Sequence, residues 1–182
     1  AEWGRWSPKR KTRHPRAWAA FLDEMEHRPP EHHWAKLQVT GPLTLAAAID
    51  PGRPSFQPMN DVAEWLAKPM AMRVDALDKR NIDSLLMIDE PTLDQYDGRV
   101  LGELVQAWEP LSNQASAWGL HLCCEVPWKT VLEARPDVLS FDLSVEELDD
   151  EAVEAVEELV GSGTRIAWGI IRPTSKEGVQ AG

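Results

Sequence analysis

Residues 84–91 read Ser84-Leu85-Leu86-Met87-Ile88-Asp89-Glu90-Pro91. Five residues form a short strand that is apolar on both faces and ends abruptly in two carboxylates and a proline. A strand buried on both faces belongs to a parallel sheet covered by helices, rather than to an antiparallel sheet with one wet face. Working outward, similar runs recur: Lys36–Thr40, the run through Gly119-Leu120-His121-Leu122-Cys123, Asp137–Leu143 and Arg165–Ile171. Amphipathic segments alternate with them. Helices are predicted over Arg16 to about His27, from Asn60 or Asp61 through Lys68 and on from Pro69 to about Arg80, and over 98–118, Trp128–Ala134 and Val145–Val160. Residues 50–60 read as a loop from their Gly and Pro content. Five strand–helix alternations predict an α/β fold. A complete (β/α)8 (TIM) barrel needs about 250 residues, so the 182 residues are expected to form an open sheet or an incomplete barrel of about five β/α units.

Composition narrows the function classes. The formal net charge is −11, which argues against non-specific nucleic-acid binding, since that needs clustered cations. No apolar run approaches the roughly 18 residues of a membrane span. Basic residues from Arg5 to Arg16 crowd the first sixteen residues; residues 1–15 read as a proline-containing N-terminal arm, and residues 16–182 as the barrel domain. The acidic run from Glu146 to Glu158 reads as a solvated helix face. The start, Ala1-Glu2-Trp3-Gly4-Arg5, carries no secretory signal and no initiator Met, so a processed chain or a fragment is expected. The two cysteines, Cys123 and Cys124, are adjacent and build no disulfide framework, which leads to an expectation of a reducing cytoplasm.

Polar residues gather where the strands end, and in β/α barrels the carboxyl ends of strands carry the chemistry. Strand alternation places His121 and Cys123 on one face, opposite Leu120, Leu122 and Cys124. An imidazole and a thiolate converging there are two ligands of a zinc site. Asp142 shares a face with Val138 and Ser140 and is a candidate third ligand. Asp89 lies on the face of Leu85 and Met87 and is a candidate ligand-facing carboxylate, or else a cap for the following loop or helix, whereas Glu90 points the other way. Cys124 is expected to be a buried small hydrophobe. His32 and His33 lie beside prolines and are expected in solvent. Trp18, Trp65 and Trp108 sit at helical spacing and are expected in the core, while Trp128 and Trp168 fall close to strand ends and could line a pocket.

Five motifs, in order, resemble one superfamily: Gly41-Pro42-Leu43-Thr44-Leu45-Ala46, Ile88-Asp89-Glu90-Pro91, His121-Leu122-Cys123, Asp137-Val138-Leu139-Ser140-Phe141-Asp142 and Trp168-Gly169-Ile170-Ile171. It is the superfamily of the cobalamin-independent methionine synthases and uroporphyrinogen decarboxylases, and the chain is most similar to the methionine synthase C-terminal barrel over about residues 36–175. The resemblance implies a barrel with zinc at its mouth, a small thiol such as homocysteine as acceptor, and a separate methyl donor. It implies zinc ligation by His121 and Cys123, with Asp142 where those synthases carry Glu. Asp89 matches the residue that holds the substrate amino group. Besides the shorter Asp142, the sequence departs from the pattern in that no later Cys follows to complete the zinc site, the earliest barrel strands have no counterpart, and Arg172 stands where those synthases usually have Asp. Two other readings follow from the same motifs. One is a decarboxylase-like lyase without zinc. The other is a non-catalytic truncated barrel, completed by a partner chain or a second copy.

Overall fold

In a computed structural model, residues 16–27, 33–50, 56–96, 98–146 and 148–170 are described. The chain divides into two units, Ala1–His33 and Trp34–Gly182. In the first, the described element is helix α1 (Arg16–His27), on which Trp18 and Phe21 stack with ring centroids 5.3 Å apart. The basic arm 1–15, His14, His32 and Arg172 lie outside the described residues, and His33 is exposed.

The second unit is built on five parallel strands: β1 (Trp34–Thr40), β2 (Asp83–Asp89), β3 (Ala117–Leu122), β4 (Val138–Asp142) and β5 (Arg165–Gly169). Their order in the sheet is their order in the chain. Helices α2 (Pro42–Ile49), α3 (Phe56–Asp78), α4 (Gly98–Ser112), α5 (Trp128–Ala134) and α6 (Asp150–Gly161) connect them and pack on one another in sequence. This confirms the mixed α/β class: one five-stranded parallel sheet and six α-helices among the described residues.

One face of the sheet is tightly buried: Leu37, Leu86, Ile88, Leu120, Leu122, Leu139 and Phe141 are all nearly inaccessible. Phe141 meets Trp128 and Trp168 edge-on at 5.4 and 5.3 Å between ring centroids. The alternate residues Gln38, Asp89, His121, Ser140 and Asp142 keep partial or full exposure, so the polar strand-end residues share the less buried face. Gly119 lies on this second face at the centre of β3. A Cβ there would stand 2.6 Å from Met87 Sδ and 2.6 Å from the Val138 carbonyl oxygen, so the close approach of the strands requires glycine.

Several element boundaries differ from the sequence expectation, each for a physical reason. Helix α2 carries no predicted counterpart. Its N-cap is Gly41, without a side-chain cap of its own, and the cap comes instead from Glu90, far along the chain. The Glu90 side chain is fully buried and receives four hydrogen bonds. Leu43 N donates to Oε1 at 3.0 Å and Trp108 Nε1 to the same oxygen at 3.3 Å. Thr44 N and Thr44 Oγ1 donate to Oε2 at 2.9 and 2.7 Å. A carboxylate at a helix N-terminus satisfies orphan N–H groups and favours the helix dipole. Burial pushes the Glu90 carboxyl above its ordinary value, while the hydrogen bonds from Thr44, Leu43 and Trp108 pull it back. A Cβ on Gly41 would fall on this carboxylate, which explains the glycine at an otherwise ordinary backbone conformation (φ −71°, ψ 161°).

Helix α3 starts at Phe56 rather than at Asn60 or Asp61, again through a distant cap: Phe56 N donates to Glu103 Oε2 at 2.9 Å. It runs through Pro69 as one helix. Residues 51–55 of the predicted loop lie outside the described residues. Helix α4 ends at Ser112, not 118, and Ala117 already belongs to β3. The acidic helix begins at Asp150 rather than Val145, because Asp149 caps it locally by accepting from Ala152 N at 2.9 Å. Trp108 is in the core as expected, but Trp65 is 60% exposed. No described helix is long and apolar enough to cross a membrane.

Candidate functional site

Parallel pairing sets the site. In register across the sheet stand Thr40, Asp89, His121, Ser140 and Ala167. Residues paired in this way on parallel neighbours project to the same face. Asp142, paired with Gly169, lies two residues further along β4, and Cys123 follows directly after the last residue of β3. The sheet therefore brings Asp89, His121, Cys123 and Asp142 to its carboxyl edge.

Within this row His121 is held on both ring nitrogens. Nδ1 lies 3.1 Å from Ser140 Oγ, and Nε2 lies 3.1 Å from Cys123 Sγ. Cys123 is exposed and free, while Cys124 is buried and its thiol donates to the Glu90 carbonyl at 3.7 Å. The two adjacent cysteines thus take opposite sides, as alternation predicts. Asp89 Oδ2 accepts from Gln38 Nε2 at 2.6 Å, and Asp89 Oδ1 is buried with no hydrogen-bond donor. Asp142 Oδ1 accepts from Ser144 N at 2.8 Å. Among the described residues no three His, Cys, Asp or Glu side chains are grouped as closely as a metal ion requires. The imidazole and thiol are together; the carboxylates flank them.

The surroundings of Cys123 hold its thiol above the ordinary range, first by partial desolvation and then through the negative charges of Asp89 and Asp142. A raised thiol value means less thiolate at any given pH. Without metal, Cys123 is therefore expected to react with iodoacetamide more slowly at pH 8 than an unperturbed cysteine. The midpoint of its rate against pH should lie above the ordinary value of about 8.5, and D89N or D142N should move it down. A midpoint below that value would contradict the electrostatic picture. Stopped alkylation with mass-spectrometric readout of the Cys123 peptide measures it.

Three residues that position the site escaped the sequence reading. Gln38 holds Asp89. Ser140, noted only for its face, contacts His121. Glu146, assigned to a solvated acidic face, is half-buried and bridges two loops: Oε2 accepts from Val126 N at 2.8 Å and Oε1 from Trp128 Nε1 at 2.9 Å. It thereby ties the segment just after Cys123 and Cys124 to the loop after β4. The amide or hydroxyl of a lone Gln or Ser carries no sequence pattern; only the register reveals it.

A cavity of about 740 Å³ lies elsewhere, between the start of α4, α5 and the approach to α6, lined by Leu101, Val126, Trp128 and Glu146 among others. None of Asp89, His121, Cys123 or Asp142 borders it. Among its described lining residues there is neither thiol nor imidazole, so the strand-end row is the stronger candidate for chemistry. Trp128 lines this cavity, whereas Trp168 packs against Phe141.

No protein-family model matches the chain, and no curated protein matches it.

Proposed function

We propose that this sheet is part of a (β/α)8-type barrel of the methionine synthase kind, and that it methylates a small thiol such as homocysteine. The observation that carries this reading is the 3.1 Å approach of His121 Nε2 to Cys123 Sγ at the carboxyl edge of a parallel sheet. Chain-order strands with helices packed in sequence agree with a barrel wall. The donors suit zinc in kind, since an imidazole and a thiol are its preferred ligands. The unsatisfied buried oxygen of Asp89 and the charge of Asp142 make the edge receptive to a cation. His121 and Cys123 would hold the ion, and Asp142 would be the third ligand. Zinc supplies the field that keeps a bound thiol deprotonated and nucleophilic at neutral pH.

The chain's own side chains do the rest. Asp89 Oδ1 accepts a hydrogen bond from the amino group of the acceptor, held in place by Gln38. The acceptor thiol loses its proton to solvent, its sulfur forms a bond to the methyl carbon as the donor–methyl bond breaks, and the donor departs with the electron pair of that bond. The methyl donor is a second small molecule, and the two free cysteines suit a reducing cytoplasm. The experiment is methyl transfer to homocysteine by the zinc-supplemented full chain, with a panel of labelled methyl donors and mass detection of the thioether. Product should form with the wild type and fall at least 100-fold in C123S. Equal turnover in C123S would contradict the proposal.

A further inference from the structure

The ring of His121 has two neighbours of different hydrogen-bonding character, and they decide where its proton sits. Nδ1 faces the Ser140 hydroxyl oxygen at 3.1 Å, and Nε2 faces the Cys123 sulfur at 3.1 Å. Oxygen is a good acceptor for a ring N–H. A thiol sulfur is a weak acceptor, but its S–H can donate to a bare ring nitrogen. The better pairing puts the ring proton on Nδ1, donated to Ser140 Oγ, and leaves the Nε2 lone pair toward Cys123. The opposite tautomer would spend the N–H on sulfur.

We infer that Ser140 is a positioning residue that locks His121 in its Nδ1–H form, so that Nε2 is presented as a lone-pair donor beside the Cys123 sulfur. Ser140 and His121 are paired in register on β4 and β3, so the contact is set by the sheet rather than by a loop. Ser140 is only partly buried, yet its strand neighbours Leu139 and Phe141 are fully packed, which fixes the backbone that carries it. A fixed tautomer is what a metal-binding imidazole needs, because its other nitrogen must be the protonated one. That consequence rests on the zinc reading above. The tautomer itself does not, since it follows from contacts within the metal-free chain.

The test uses the full chain labelled with ¹⁵N-histidine, free of metal, at a pH where the imidazole is neutral. H121Q assigns the His121 signals by their disappearance. In the wild type the Nδ1 shift should be that of a protonated ring nitrogen and the Nε2 shift that of an unprotonated one. S140T, which keeps the hydroxyl, should preserve this pattern. S140A should move the population toward Nε2–H, the form free imidazole side chains favour, while the backbone amide spectrum stays folded. A wild-type His121 protonated on Nε2 would overturn the inference, and so would S140A with an unchanged pattern. Should S140A fail to fold, the wild-type shifts alone decide. Failure of the zinc reading would look different: the tautomer as inferred, with no zinc retained.

Discussion

Replacing Glu90 by alanine should lower the stability of the fold by about 4 kcal/mol, because each buried N–H left without an acceptor costs about 1–3 kcal/mol. Three N–H donors lose their acceptor at once: Leu43 N, Thr44 N and Trp108 Nε1. Thr44 Oγ1 can turn elsewhere, but the three N–H groups cannot. The first turn of α2 loses its only described cap, and a cavity opens against Trp108, which is 1% exposed. Relief of the burial penalty on the carboxyl offsets part of this, which keeps the figure below the sum of three orphaned donors. E90Q should be milder, at about 2 kcal/mol, since its oxygen can still serve Leu43 and Trp108 while its NH₂ meets the Thr44 N–H head-on. In a domain of this size the alanine variant should melt about 10 °C lower. Thermal unfolding followed by circular dichroism checks both, and a shift of a degree or two for E90A would show that Glu90 is not the anchor of α2.

The second large effect is expected at Gly119. A methyl group there would press on Met87 Sδ and on the Val138 carbonyl oxygen, both at 2.6 Å. Met87 can move, but the carbonyl belongs to the neighbouring strand and is fixed by the β3–β4 pairing. Over-packing of this kind costs about 1–3 kcal/mol, and a backbone obstacle in the middle of a sheet puts G119A near the upper end. His121 lies two residues along the same strand, so the distortion should also loosen its contact with Ser140. Denaturant unfolding of G119A should show a midpoint shift equivalent to about 3 kcal/mol, and a wild-type midpoint would mean that the strands can separate more easily than their packing suggests.

The strands were legible in the sequence because each is a short apolar run, and burial on a parallel sheet demands that pattern. The face assignments of Asp89, His121, Cys123 and Cys124 were legible for the same reason, since a period of two is strict along a strand. Helices α2 and the first turn of α3 were not legible. Their caps, Glu90 and Glu103, come from residues more than forty positions away, and no local motif announces a cap supplied from another element. Trp65 misled because helical spacing marks a face without saying whether that face meets the sheet. At the site, the His121–Cys123 pair was readable from two residues, whereas Gln38 and Ser140 became visible only once the register set them beside Asp89 and His121. Closure into a barrel depends on long-range geometry that no local pattern encodes.

The carboxyl edge of the sheet is proposed to hold a metal between His121 and Cys123. The most direct measurement is cobalt substitution of the full chain, comparing wild type with the H121A/C123S double variant. The wild type should bind one equivalent of cobalt, with the charge-transfer absorption of a cobalt–thiolate bond, displaced by zinc and absent from the double variant. Equal metal content in the two proteins, or bound cobalt without the thiolate band, would contradict it.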